Sequence, residues 1–178
     1  MFLLLVKGAG MTLATPEITT NPLDGKNYVD SILWERLTGR ILGDLEFKSN
    51  YSDLNEVEQL AMAECILDQA VAFLRLVGSS SGEEYSPSEQ VDIGWHAFLM
   101  YTREYAEFCQ RIAGRMIHHA PSDIPGVDYG TGNIQRTIAA LEVRGMYVDN
   151  RLWPSAADCN GCGYCSGDSC SGSSCNGE

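Results

Sequence analysis

One aspartate, one cysteine and all three histidines of the chain fall in a single window at spacings that chemistry can use. Asp92 and His96 stand four residues apart in VDIGWHAFLMY, Cys109 follows in TREYAEFCQRIAG, and His118 and His119 are adjacent in RMIHHAP. Residues i and i+4 of a helix project from one face, so Asp92 and His96 present a carboxylate and an imidazole together. If the next helix returns against the first as a hairpin, the turn after Gly114 folds back toward His96. Asp92, His96, Cys109 and His119 then make the mixed oxygen, nitrogen and sulfur set that suits Zn²⁺. The same groups permit a thiol–imidazole pair, with Cys109 as nucleophile and His96 or His119 as its base. They also permit a purely architectural role, with an imidazole bonded to Asp92 and Cys109 packed as a small buried hydrophobe. Two adjacent histidines cannot both aim at one ion from a helix. One of the pair is therefore structural or exposed, and His119 is the one counted with the set.

A second group of reactive side chains closes the chain, in DCNGCGYCSGDSCSGSSCNGE. Cys159, Cys162 and Cys165 recur every third residue, and Cys170 and Cys175 follow at wider spacing. Two thiolates in C-x-x-C reach one tetrahedral ion, but zinc ribbons place two such pairs well apart. These thiols are crowded, with Gly, Ser and Asn between them, which fits a labile thiolate cluster better than a preformed site. An iron–sulfur cluster is permitted by the count, but no apolar or Pro-containing surroundings would shield it. Five is odd, so disulfide pairing within the tail leaves one thiol over. A Cys/Ser-rich end behind a folded body also has the layout of a ribosomally made peptide precursor, whose tail a modifying enzyme or protein partner would act on. The plainest reading is a flexible tail without a fixed partner.

The elements that must position the first set read as helices. Residues 12–27 mix Thr, Pro, Asn and Gly and read as loop. Residues 28–45 keep Ile32, Leu33, Leu37 and Ile41 at helical spacing. Asn55 is an N-cap candidate for a second helix whose stripe is Leu60, Ala63, Leu67, Ala70, Val71 and Leu74, ending at Gly78. Ser86 with Glu89, and Pro87 at the first helical position, form a capping box for the helix of Asp92 and His96. Thr102 reads as the cap of the next, which Gly114 stops. Residues 122–132 read as loop, and 133–144 as a last helix closed by Gly145. No stretch alternates at period two beyond a short extended piece at 146–148. The expected fold is all-α: a compact bundle of about five helices with a disordered Cys/Gly/Ser-rich tail. Its expected divisions are a loose extension over 1–27, a helical domain over 28–153 and a low-complexity tail over 154–178.

The pattern D-x-x-W-H-x-x-x-x-x-T-x-x-Y-x-x-x-C-x-x-x-x-G-x-x-x-x-H, from Asp92 to His119, resembles the signature of the plant glycine-rich-domain proteins and their smaller bacterial relatives. Its matching positions are Asp92, Trp95, His96, Tyr105, Cys109, Gly114 and His119. The resemblance implies a helical domain often followed by a Gly- or Gly/Cys-rich tail, and it implies a fold more than a function. A role in RNA binding is suggested among the plant members, but their extra domains are absent here.

Composition sets outer limits. The chain has 178 residues, is 44% hydrophobic and carries a formal net charge of −12. That apolar fraction supports a folded core. The acidity argues against nucleic acid and anionic membrane surfaces, which require a basic face. The opening MFLLLV is too short for a signal peptide or a membrane span, and Met11 is an alternative start. The expected location is therefore the cytoplasm, where cysteines more often bind metal or stay free than form disulfides. No phosphate-binding loop or dinucleotide fingerprint is present, and GTG at 130–132 is only a fragment. The leading expectation is a non-enzymatic metal-binding protein, with zinc or a similar ion at Asp92, His96, Cys109 and His119 and an accessory thiol-rich tail. The alternatives are a thiol enzyme using Cys109, and an interaction or precursor protein whose tail is the functional element.

Overall fold

In the computed structural model the described residues are 23–120 and 131–153. Most of the expected N-terminal extension, the loop over 122–130 and the five tail thiols Cys159, Cys162, Cys165, Cys170 and Cys175 lie outside them. The described part is all-α. A 3-10 turn, Asp24–Asn27, precedes six helices: α1 (Ser31–Gly43), α2 (Leu45–Asn50), α3 (Glu56–Ser79), α4 (Glu89–Leu99), α5 (Thr102–Ala113) and α6 (Thr131–Val143). No strand forms among the described residues, and residues 146–148 are irregular. None of these helices is long and apolar enough to cross a membrane.

The helix starts follow side-chain oxygens that satisfy the first free N–H groups. Asn55 accepts from the N–H groups of Val57 and Glu58 at 3.0 and 3.1 Å, and Glu58 returns a carboxylate to the Asn55 N–H, completing a capping box. Asp30 caps α1 through Ile32 and Leu33. The single helix expected over 28–45 is instead broken at Asp44. That residue turns extended and caps α2 by accepting from Glu46 and Phe47 at 2.9 and 3.2 Å. At α4 the cap is Ser88 rather than Ser86: its hydroxyl accepts from Val91 N–H. Ser86 is engaged elsewhere, its N–H donating to Thr137 Oγ1 on α6 at 3.1 Å. A serine two positions upstream with Pro87 beside it looks equivalent in sequence, but its backbone is held against α6 through Thr137 and the helix starts only after Ser88. Thr102 is the first helical residue of α5, and Tyr101 holds the cap position without a side-chain bond.

α3 is the axis of the bundle, packed against α1, α4, α5, α6 and the 3-10 turn. Every residue over 66–74 is buried, so this helix is enclosed on all sides rather than along the one stripe expected. Enclosure brings Asp68 and Gln69 into the core, and both are paired. Asp68 accepts from the Gly25 N–H at 2.7 Å, tying the N-terminal turn to α3, and Arg75 holds Asp24 at 2.8 Å. The packed body therefore begins by Asp24, ahead of the boundary expected at residue 28. Gln69 donates to Tyr147 O and accepts from Asp149 N–H and Trp153 Nε1–H, which fastens the segment after α6. Leu152 and Trp153 are buried at that end.

Candidate metal centre

α4 lies against α3 so closely that one of its residues can have no side chain. A β-carbon at Gly94 would stand 2.8 Å from Ala70 Cβ and 3.0 Å from the Ile66 carbonyl oxygen. This approach sinks Val91, Trp95 and Phe98 into the core, leaving the opposite face of α4 to carry Asp92 and His96. α5 buries Tyr105, Phe108 and Cys109, spaced i, i+3 and i+4. It ends at Gly114, whose φ of +64° is the left-handed conformation that glycine adopts without steric cost.

From that turn the chain runs back over α4. Exposure alternates as in an extended segment: Ile117 is buried, His118 exposed and His119 half-buried. A two-bond relay fixes this register from beneath. Trp95 Nε1–H donates to the Tyr105 hydroxyl at 2.9 Å, and that hydroxyl donates to Ile117 O at 2.8 Å. Burial, then the neighbouring Cys109 thiol, raise the Tyr105 phenol well above its ordinary range, so it stays a neutral donor. Two residues beyond Ile117, His119 lies on the same side of the extended chain and meets Asp92.

Three of the four expected ligands converge. His119 Nε2 is 3.0 Å from Asp92 Oδ1, His96 Nε2 is 3.7 Å from Asp92 Oδ2, and the two imidazole centroids are 4.6 Å apart. One ligand atom from each of Asp92, His96 and His119 lies within 4.8 Å of the others. The Trp95 ring stands edge-on to His119 at 4.5 Å, closing the inner wall. His119 and Asp92 are 16% and 26% exposed at their side chains and His96 is 58%, so the site opens outward at His96. Two imidazole nitrogens and a carboxylate oxygen are a donor set for Zn²⁺ and similar divalent transition metals.

Cys109 is the correction. It is wholly buried on the inner face of α5 and is not one of the converging groups. The spacing that places it with Tyr105 and Phe108 on the apolar stripe is what removes it from the site. A thiol closed off from solvent also gives the nucleophile reading no support. His118, the other half of the adjacent pair, points to solvent.

A further carboxylate, which sequence reasoning did not single out, feels the charges of the site. Glu46, in the first turn of α2, has its carboxyl pushed up, first by partial burial and then by Glu89, Asp44 and Asp92, while His96 pulls it down. Nothing in the spacing could have found it, since only the packing of α2 on α4 relates the two segments. Gly94 was the other omission, and its signal was present: a glycine inside an otherwise apolar helical run marks a close approach.

With this geometry in view, the family is clear at the level of the chain. The UCP032817-like family model matches residues 45–135, just over half of the sequence, and the chain belongs to that family. The matched span runs from the first residue of α2 into α6 and includes Asp92, His96 and His119. No curated protein and no solved structure matches the chain.

Proposed function

We propose that the protein is a non-enzymatic binder of a divalent transition metal, zinc being the best fit, through Asp92, His96 and His119. The observation that carries this reading is the convergence of the three ligand atoms within 4.8 Å of one another, from two helically spaced positions and a segment 23 residues further along. The donor set fits: a borderline-soft ion takes imidazole nitrogen and carboxylate oxygen readily. The chain also holds the set in place before any ion arrives, because the Trp95–Tyr105–Ile117 relay fixes the backbone that presents His119. The hydrogen bond between His119 Nε2 and Asp92 Oδ1 orients both side chains, and on binding the ion would replace the proton that they now share.

The tail thiols Cys159, Cys162, Cys165, Cys170 and Cys175 form, in this proposal, a second and more labile site, on the strength of their C-x-x-C spacing alone. Kinship with the plant glycine-rich-domain proteins is likewise proposed on the motif from Asp92 to His119. Location in the cytoplasm is the corresponding expectation for a thiol-rich chain.

Elemental analysis of full-length protein, purified without a metal-affinity tag, tests the reading when compared with a chain in which the five tail cysteines are serine. One equivalent of zinc retained by the serine variant supports a site in the body. A serine variant that retains no metal and binds none on dialysis against micromolar zinc leaves Asp92 and His119 as an ordinary structural pair and refutes the proposal.

A further inference from the structure

The three converging groups leave a four-coordinate ion one ligand short, and the set has no fourth member among the described residues. Zinc sites with three protein ligands and a water are the catalytic kind, whereas sites closed by four protein ligands hold the ion. His118 lies on the exposed side of its segment and Cys109 is sealed inside α5, so neither supplies the missing donor. The row of α4 that carries the ligands also holds the end of the packed body.

The last described residues are fastened to the base of that row. The Ser88 hydroxyl donates to Leu152 O while it accepts from Val91 N–H, and Trp153 Nε1–H donates to Gln69 on α3 at 2.8 Å. Ser88, Asp92 and His96 are spaced i, i+4 and i+8, so they follow one another up a single face of α4. Exposure rises along the row, from buried Ser88 through half-buried Asp92 to exposed His96. Leu152 O at Ser88 is thus one helical turn below Asp92, about 6 Å along the axis, and two turns below His96, about 12 Å. The aromatic rings give the same placement. Phe73 stands 6.5 Å from Trp153 and 5.4 Å from Trp95, the ring that lies edge-on to His119. Cys159 follows Trp153 by six residues, a length of chain that spans up to about 20 Å. From this fixed root its thiol has the reach to meet the open side of the centre.

Resting on the metal reading above, we propose that Cys159 is the fourth protein ligand, closing over an ion held by Asp92, His96 and His119. Coordination displaces the thiol proton to solvent, so one thiolate and one carboxylate balance a divalent ion beside two neutral imidazoles. Cys159 takes this place ahead of the other tail thiols because the shortest loop costs the least closure entropy. It is thereby drawn out of the labile set, which keeps Cys162, Cys165, Cys170 and Cys175. The closed centre holds its ion without a coordinated water, in keeping with a binding protein, and ties the tail to α4 when metal is present.

Cobalt(II) titration under a non-thiol reductant tests the closure in the full-length chain with Cys162, Cys165, Cys170 and Cys175 replaced by serine, so that Cys159 is the one tail thiol. One cobalt should bind with the intense visible bands of a four-coordinate ion and a near-ultraviolet thiolate-to-cobalt band. Adding C159S should remove the thiolate band and weaken binding at least about tenfold, since even an outer-shell partner of a metal is worth that much. Adding H96A instead should also remove the band, because thiol and imidazole serve one ion. Cobalt bound without a thiolate band, an affinity unchanged by C159S, or a band that survives H96A overturns the closure. If the chain with all five tail cysteines as serine still binds one cobalt and loses it on H96A, the three-ligand reading survives that failure. A five-serine chain that takes up no cobalt overturns the metal reading and the closure with it.

Discussion

Replacing Gly94 with alanine tests the packing that holds the centre. The added methyl group would meet Ala70 Cβ at 2.8 Å, the Ile66 carbonyl oxygen at 3.0 Å and Ile66 Cγ2 at 3.2 Å. Two of these atoms belong to backbone or to a β-carbon and cannot rotate aside, so α4 must lift from α3. Overpacking of this kind costs about 1–3 kcal/mol, while alanine returns about 1 kcal/mol of helix propensity over glycine. Because the obstacles are fixed, the strain lies at the upper end of that range and exceeds the gain, and G94A should lose up to about 2 kcal/mol. Gly39 supplies the control. It lies inside α1, and a β-carbon there meets nothing within 4 Å, so G39A should keep the propensity gain and stabilise by about 1 kcal/mol. Urea unfolding followed by circular dichroism measures both. With slopes of about 1–3 kcal/mol per molar, the two midpoints should move in opposite directions. A G94A chain as stable as the parent, or shifted upward like G39A, would refute the close approach of α4 to α3.

Two further outcomes follow from buried polar groups. Y105F removes the hydroxyl that accepts from Trp95 and donates to Ile117 O, leaving both partners unpaired in the core at about 1–3 kcal/mol each. It should destabilise the fold and speed amide exchange over residues 117–119, and unchanged exchange there would remove the relay from the account. Burial raises the Asp68 carboxyl from 3.8 to about 6, against the hydrogen bonds from Gly25 and Gln69 that lower it. The folded chain thus holds that proton more tightly than the unfolded one. This contribution to stability is full below pH 3.8 and is lost as pH rises through 6, to an extent of about 3 kcal/mol. The stability of D68N relative to the parent should therefore rise across that window. A flat difference between the two would contradict the burial of an ionisable group there.

What was legible in the sequence divides along physical lines. Local signals survived intact: the Asn55 N-cap, the stop at Gly114 and the i, i+4 pairing of Asp92 with His96 each depend on a few neighbouring residues. The return of His119 onto α4 was also foreseeable, given a hairpin of α4 and α5 with the glycine stop at its end. The misread helix boundaries required knowledge of a distant partner. Ser88 rather than Ser86 caps α4, while Thr137 of α6 holds the Ser86 backbone ahead of the helix. Asp44 interrupts the first helix because α2 must bury Phe47. Cys109 has a chemically attractive side chain, but its helical phase with Tyr105 and Phe108 directs it inward, a phase the sequence already displayed. Glu46 comes under the charges of Asp92 and His96 through the packing of α2 on α4, and no spacing rule could connect it with residues nearly fifty positions later.

The most direct test of the central claim is the zinc dependence of folding stability in the full-length chain with its tail cysteines replaced by serine. An ion bound only by the folded state adds about 2.7 kcal/mol at a free concentration one hundred times its Kd. Denaturant unfolding with zinc at that level should show this gain in the parent and lose it in H96A, whose exposed imidazole can be removed without disturbing the core. A parent chain whose unfolding is indifferent to zinc would contradict the assignment of Asp92, His96 and His119 as a metal centre.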